Sequence, residues 1–285
     1  MMQEIPILQI EILQVPGWDD LEWLRHGFST RSGGTSTAYG GKTLNLGWTK
    51  EDDPSAVRAN RRSFVNAVDD RMRLVTIRQV HSSIVRAVRV EDGALEGVLE
   101  TAEGKAVLEG DGLVTDVPGV LLAVGTADCV PVLVVDPVTR AVGAFHAGWR
   151  GTAAKIVERG VALMREEYGS RPESLLAAVG PGIGACCYRV GDEVRGAFDT
   201  QFPYADELFE QTANSPDGQR QYSVDLWKAN HRQFVDAGIM PEQIAVIGEC
   251  TACARDAEGK RRYFSHRAER GATGRMLNAI GIAST

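Results

Sequence analysis

Residues 112–151 read GLVTDVPGVLLAVGTADCVPVLVVDPVTRAVGAFHAGWRG. Four apolar runs follow one another here, 112–115, 120–126, 131–136 and 141–146, broken by short polar or Pro/Gly turns. Such short apolar runs read as strands. Outward from this block, further apolar runs predict strands near 5–15, 23–29, 73–80, 83–90, 175–180 and 243–248. Helical spacing predicts helices over 54–68, 151–168, 190–198, 223–237 and 271–281. Asp53-Pro54 supplies an N-cap and a first-turn proline for the first of these, and Gly169 a stop for the second. Val224, Trp227 and Phe234 form an apolar stripe in the fourth, read as core. Strands clustered in the middle with helices among them predict an α/β (α+β-like) fold, a layered domain with a mixed β-sheet core flanked by helices. The polar stretches 91–110 and 211–220 read as exposed loops. With no repeat or linker, residues 1–285 are expected to be a single domain.

Composition narrows the function. The chain has 285 residues, 44% hydrophobic and 24% charged, with a formal net charge of −7. An acidic balance argues against broad nucleic-acid binding, though not against a local basic pocket. The basic C-terminal stretch around Arg261, Arg262, Arg267 and Arg275 has no interleaved stacking aromatics beyond Tyr263 and Phe264 and reads as a solvated face with one or two substrate-facing arginines. No run reaches the roughly 20 apolar residues of a membrane span. Residues 1–18 lack the basic region and compact apolar core of a signal peptide, so a cytoplasmic location is expected. Five cysteines, an odd count in the second half, make a poor disulfide framework and leave metal or thiol chemistry.

Three segments carry reactive side chains just past apolar runs: Arg78-Gln79-Val80-His81, Gly125-Thr126-Ala127-Asp128-Cys129-Val130-Pro131 and His146-Ala147-Gly148-Trp149-Arg150-Gly151. Loops at strand ends can converge on one rim of a sheet. Two imidazoles and a thiolate suit zinc and leave a fourth position open. The same residues are compatible with two structural histidines and a buried thiol. In the third segment, a helix start beside Arg150 could hold phosphate or a carboxylate, or simply turn the chain. Asp128 could orient a histidine, accept a proton, bind ribose hydroxyls or cap a turn. Cys186-Cys187 and Cys250-x-x-Cys253 read as structural or incidental thiols, since neither pair has local partners for a zinc site.

Ordered strings then run along nearly the whole chain: His26-Gly27-Phe28-Ser29-Thr30-Arg31, Leu44-Asn45-Leu46-Gly47, Gln79-Val80-His81, Asp111-Gly112, Thr126-Ala127-Asp128-Cys129, the HAGWRG segment, Gly180-Pro181-Gly182-Ile183 with Cys187-Tyr188, Cys250-Thr251, Phe264-Ser265-His266-Arg267 and Thr273-Gly274-Arg275. On these the sequence resembles the laccase-domain family of YfiH/YlmD-like purine nucleoside phosphorylases, which also carry a polyphenol-oxidase label. The resemblance implies zinc held by His81, Cys129 and His146, which would also be the catalytic centre. It implies phosphorolysis of adenosine, inosine and 5′-methylthioadenosine, with purine nucleosides and phosphate as partners, and deamination of adenosine. It places Arg31 and Asn45 beside the substrate, with Asp128 and Arg150 as further candidates. After Leu44-Asn45-Leu46-Gly47 the chain reads WTKEDD, where the family pattern has a glycine before the acidic pair. The resemblance leaves two other readings: a Cys/His hydrolase (amidase) that edits peptidoglycan precursors, with Cys129 as nucleophile, or a zinc-stabilised interaction module. Copper and phenol oxidation lack the further copper-ligand sets they would need.

Overall fold

A computed structural model describes residues 10–89 and 104–284. Its elements are β1 (Ile12–Leu13), β2 (Leu24–Ser29), α1 (Pro54–Asp69), β3 (Arg73–Thr76), β4 (Val85–Ala87), β5 (Gly112–Thr115), β6 (Val120–Thr126), β7 (Val130–Asp136), β8 (Ala141–Ala147), α2 (Trp149–Ala153), α3 (Ile156–Tyr168), β9 (Leu176–Val179), β10 (Arg189–Val190), α4 (Asp192–Asp199), β11 (Phe209–Gln211), β12 (Tyr222–Val224), α5 (Leu226–Asp236), β13 (Ile244–Val246) and β14 (Met276–Ile282). Two mixed sheets dominate. One has the order β1-β2-β14-β6-β3 and the other β13-β9-β7-β8-β5-β4, with a small β10-β12-β11 sheet to the side.

The apolar block folds as two-faced strands. In β6, Leu121 and Ala123 pack with Phe64 of α1, while Leu122 and Val124 pack with Leu133 and Val135 of β7. On the opposite face of β7, Val132 and Val134 pack with Ile156, Val161 and Met164 of α3 and Phe234 of α5. The layers are therefore helix, sheet, sheet, helices, and every inner strand is buried on both sides. Phe28, fully buried in the cluster between the sheets, illustrates the energetics: truncating such a ring to alanine costs about 3–5 kcal/mol.

Local signals set several ends. The Asp53 side chain accepts the Ser55 N–H at the start of α1, and Asp225 accepts that of Lys228 at the start of α5. The helix expected over 151–168 is two helices, because Lys155 adopts a left-handed φ of 62° that breaks the ladder. The helix expected over 271–281 is instead β14, a fully buried central strand between β2 and β6. Its run MLNAIGI has no alternation because both faces are covered, which makes strand and helix indistinguishable by period. Gly281 decides the packing: a Cβ there would lie 2.2 Å from the Val120 carbonyl oxygen. Most of the expected 91–110 loop, and the start of the expected 5–15 strand, lie outside the described residues. Among the described residues no helix is long and apolar enough to cross a membrane.

Candidate active site

Strand register assembles the site. Antiparallel pairing of β7 with β8 sets Val130 opposite Ala147, so Cys129, just before β7, faces the chain just after β8. Pairing of β5 with β8 sets Gly112 opposite Phe145, which brings Asp111 beside His146. The turn Ala127-Asp128-Cys129 joins β6 of one sheet to β7 of the other. The site thus lies where the two sheets share an end.

His81 arrives on the loop after β3, and Asp111 fastens that loop. One carboxylate oxygen accepts the His81 N–H at 3.0 Å and pairs with His146 Nδ1 at 2.8 Å. The other accepts the N–H groups of Val80 (3.2 Å) and Ser82 (2.6 Å) and the Ser82 hydroxyl (2.7 Å). Gln79 clamps the same loop to β6, its amide exchanging bonds of 2.8 and 2.7 Å with the Gly125 carbonyl and N–H. His81 and Asp128 both hold positive φ, 58° and 92°. Such strain persists only where surroundings over-determine it, and here they do. The Asp128 carboxylate accepts the Thr251 hydroxyl at 2.7 Å and the Arg267 N–H at 2.6 Å.

The ligand atoms of His81, Cys129 and His146 all lie within 4.8 Å of one another. The His81 and His146 rings meet edge to face at 5.0 Å. With Nδ1 of His146 committed to Asp111, its Nε2 is the nitrogen left for a metal, the carboxylate–histidine arrangement of metal sites. Gly148 makes room: a Cβ there would stand 2.9 Å from the Cys129 sulfur. Burial alone pushes the Cys129 thiol up and the His146 imidazole down. Their mutual attraction and hydrogen bonds reverse both, taking the thiol to about 6 and the imidazole to about 9 in the metal-free protein. Burial likewise raises Asp111, but the bonds from His146 and Ser82 hold it at about 2. A soft anionic sulfur, two imidazoles and one solvent-exposed ligand, His81, fit a tetrahedral ion with an open position.

These three residues line a cleft of about 760 Å³. Trp48, Trp149 and Tyr188 give it aromatic walls, and Arg61, Arg78, Lys105, Arg267 and Arg275 also line it. Among the described residues of the lining Asp128 is the one acid, set against those five cations, of which Arg78 pairs with Glu109.

The other expected contacts sit differently. Asp128 reaches the lining, but Arg31, Asn45 and Arg150 are outside it. Arg31 pairs with Glu269 at 3.0 Å, bonds the Tyr39 carbonyl and stacks on Phe264. Asn45, fully buried, bonds Asp52 at 2.7 Å and accepts the N–H groups of Gly47 and Arg275. Arg150 lies over the Trp149 ring and 3.6 Å from Glu193. Sequence reasoning missed the work of Asp111 and Gln79, while Arg267 and Arg275, from the basic C-terminal stretch, do reach the lining. Asp111 had a signal: an acid set directly before a short, largely apolar strand. Orientation of a ligand histidine, one role open to Asp128, belongs to Asp111.

A family profile described as multi-copper polyphenol oxidoreductase laccase matches residues 25–283. The chain is 38% identical over 270 residues to the purine nucleoside phosphorylase YlmD of Geobacillus stearothermophilus, covering 91% of this chain and 94% of the relative. The crystal structure of YlmD from Geobacillus stearothermophilus superposes with a TM-score of 0.81 at 35% identity, over 98% of this chain and 99% of that one. That of the Bacillus licheniformis hypothetical protein YfiH gives 0.81 at 33% identity, over 95% and 96%.

Proposed function

The chain belongs to the multi-copper polyphenol oxidoreductase laccase family, and from that premise we propose that it is a zinc-dependent purine nucleoside phosphorylase that also deaminates adenosine. Adenosine, inosine and 5′-methylthioadenosine are its substrates, with phosphate as co-substrate, and residues 1–285 act as one domain. The observation that carries this reading is the convergence of His81, Cys129 and His146 on a cleft with aromatic walls and a cationic lining. Relatives named purine nucleoside phosphorylase along nearly their whole length support it. The donor set favours zinc over a multicopper centre. Of the chain's five histidines only His81 and His146 enter a metal-capable cluster among the described residues.

A zinc ion held by His81, Cys129 and His146 supplies Lewis acidity and makes water a better nucleophile near neutral pH. The protein groups do the rest. Trp149 and Tyr188 offer flat apolar faces for a purine, and stacking on such a face is worth about 1–3 kcal/mol. In phosphorolysis, phosphate attacks the ribose anomeric carbon and the purine departs with the bonding electrons. The lining arginines hold the phosphate and offset its charge. Asn45 acts at one remove, fixing the Arg275 backbone beside the cleft. Asp128 holds the turn that presents Cys129. Arg31 and Arg150 brace the surrounding loops.

The test is product analysis. Adenosine with phosphate is expected to give adenine and ribose 1-phosphate, and without phosphate inosine and ammonia. Products that do not change with phosphate would rule out phosphorolysis.

One arrangement favours a second reading. Asp111, His146 and Cys129 form a chain of carboxylate, imidazole and thiol, as in Cys/His hydrolases. Amidase activity in metal-free protein, lost on alkylation of Cys129, would favour that reading over the zinc enzyme.

A further inference from the structure

Four cysteines outside the cleft come together in space. Cys186 and Cys187 lie on the turn after β9, where the N–H groups of Cys187 and Tyr188 both bond the Gly184 carbonyl. Cys250 and Cys253 lie on the turn after β13, closed by the Cys253 and Ala254 N–H groups on the Cys250 carbonyl. β9 and β13 are parallel neighbours, with Val179 beside Val246, so the turns that follow them emerge side by side. The pairing continues past the strands: Gly182 bridges Cys250, and Thr251 donates to the Gly182 carbonyl at 3.0 Å. Sequence spacing gives two half-sites 60-odd residues apart; the parallel strand pair makes them one.

The geometry points to a structural zinc site of four thiolates, Cys186, Cys187, Cys250 and Cys253. All four sulfurs lie within 4.8 Å of one another. Zn–S bonds of about 2.3 Å in a tetrahedron put the sulfurs about 3.8 Å apart. The Cys186 sulfur lies 3.7 Å from that of Cys187 and 3.8 Å from that of Cys253. A disulfide would need sulfurs at about 2.05 Å, and all four cysteines are free.

One of the four sulfurs also has a backbone donor aimed at it. The Cys250 sulfur accepts the Gly184 N–H at 3.3 Å. Such a donor stabilises the anionic form of that sulfur, whereas burial pushes the Cys186 thiol up to about 11 and raises that of Cys187, so those two give up their protons only when the ion binds. Two cations flank the turns: Arg189 bonds the Ala185 carbonyl at 2.6 Å and Arg261 the Ala252 carbonyl at 2.7 Å. They offset the two negative charges that a zinc tetrathiolate carries. Soft thiolates in a closed tetrahedral set select zinc, and no position is left for substrate. Binding releases the thiol protons to solvent.

The site staples the cleft. Thr251, inside the Cys250–Cys253 turn, holds the Asp128 carboxylate. Tyr188, next to Cys187, lines the cleft wall. The ion therefore fixes two elements of the active site without touching substrate.

The test begins with the whole chain purified without chelator, which is expected to hold two zinc ions per chain by mass spectrometry. Folded Cys129→Ser protein is expected to keep one, with only sulfur neighbours at about 2.3 Å in X-ray absorption. Replacing that ion with cobalt should give intense thiolate-to-cobalt charge-transfer absorption. Cys186→Ser and Cys253→Ser should each lose one zinc ion and keep the one at His81, Cys129 and His146. In the zinc-loaded wild type, Cys186 and Cys253, though exposed, should resist Ellman's reagent until a strong chelator is added. The proposal is overturned if folded Cys129→Ser retains no zinc or shows nitrogen neighbours. It is equally overturned if the wild-type cysteines react freely with zinc present, or if mass analysis finds them joined as disulfides.

Discussion

Replacing Asp111 with asparagine probes the whole site through one atom. The carboxylate has five hydrogen-bond partners, shared between its two oxygens. Asparagine has one acceptor oxygen and one NH₂ donor. If the NH₂ takes the outer position, it faces the Val80 and Ser82 N–H groups. If it takes the inner one, it faces the His81 N–H and gives His146 Nδ1 a donor to accept from, which moves the imidazole proton to Nε2. The first orientation loosens the His81 loop; the second blocks the nitrogen left for the metal. Each buried donor left without a partner costs about 1–3 kcal/mol, so Asp111→Asn should lose about 2–5 kcal/mol of stability. Loss of a partner that orients a ligand histidine typically costs 10–100-fold in metal affinity or activity. Zinc competition against a chromophoric chelator measures the first quantity, and kcat/KM for adenosine phosphorolysis the second. The two should fall together. An Asp111→Asn protein with wild-type melting temperature and wild-type zinc affinity would refute the reasoning, because neither orientation of the amide is harmless.

Cys129→Ser should abolish most turnover and zinc retention at the His81/His146 pair, since serine stays protonated and binds zinc poorly near neutral pH; matched thermal melts separate this from unfolding, and full turnover in a folded variant would sink the ligand assignment. Gly148→Ala should weaken zinc binding with the fold intact, because the new methyl stands 2.9 Å from the Cys129 sulfur; zinc affinity equal to wild type would show that the turn yields freely. In metal-free protein, iodoacetamide should alkylate Cys129 with a rate that rises through pH of about 6, where the His146 charge holds the thiol, instead of near 9. Below that pH the thiol is protonated and slow, above it the thiolate reacts, and added zinc should protect it; a midpoint near the free-thiol value would remove the thiolate–imidazolium pair.

Much of this was legible along the chain. The block from Gly112 to Ala147 announced strands because its short apolar runs are broken by turn residues, and the structure covers those strands on both faces. His81, Cys129 and His146 stood out because each follows such a run, and strand ends are where a layered fold opens to solvent. The cap at Asp53 is likewise local, an acid reaching an N–H two residues on, whereas the cap at Asp225 falls inside the helix expected over 223–237 and was not read. β14 was not legible, because its period is erased by burial on both faces, and only its neighbours β2 and β6 settle its conformation. Asp111 was visible as a residue but not as the anchor of His81 and His146, which lie 30 and 35 positions away. The cysteine pairs mark the limit most clearly. Each pair is a local feature of the sequence, whereas their union depends on two strands 67 residues apart by register, β9 and β13, lying parallel and ending together. Side-chain chemistry is written residue by residue, but a site made of several segments exists only once strand pairing has fixed which ends meet.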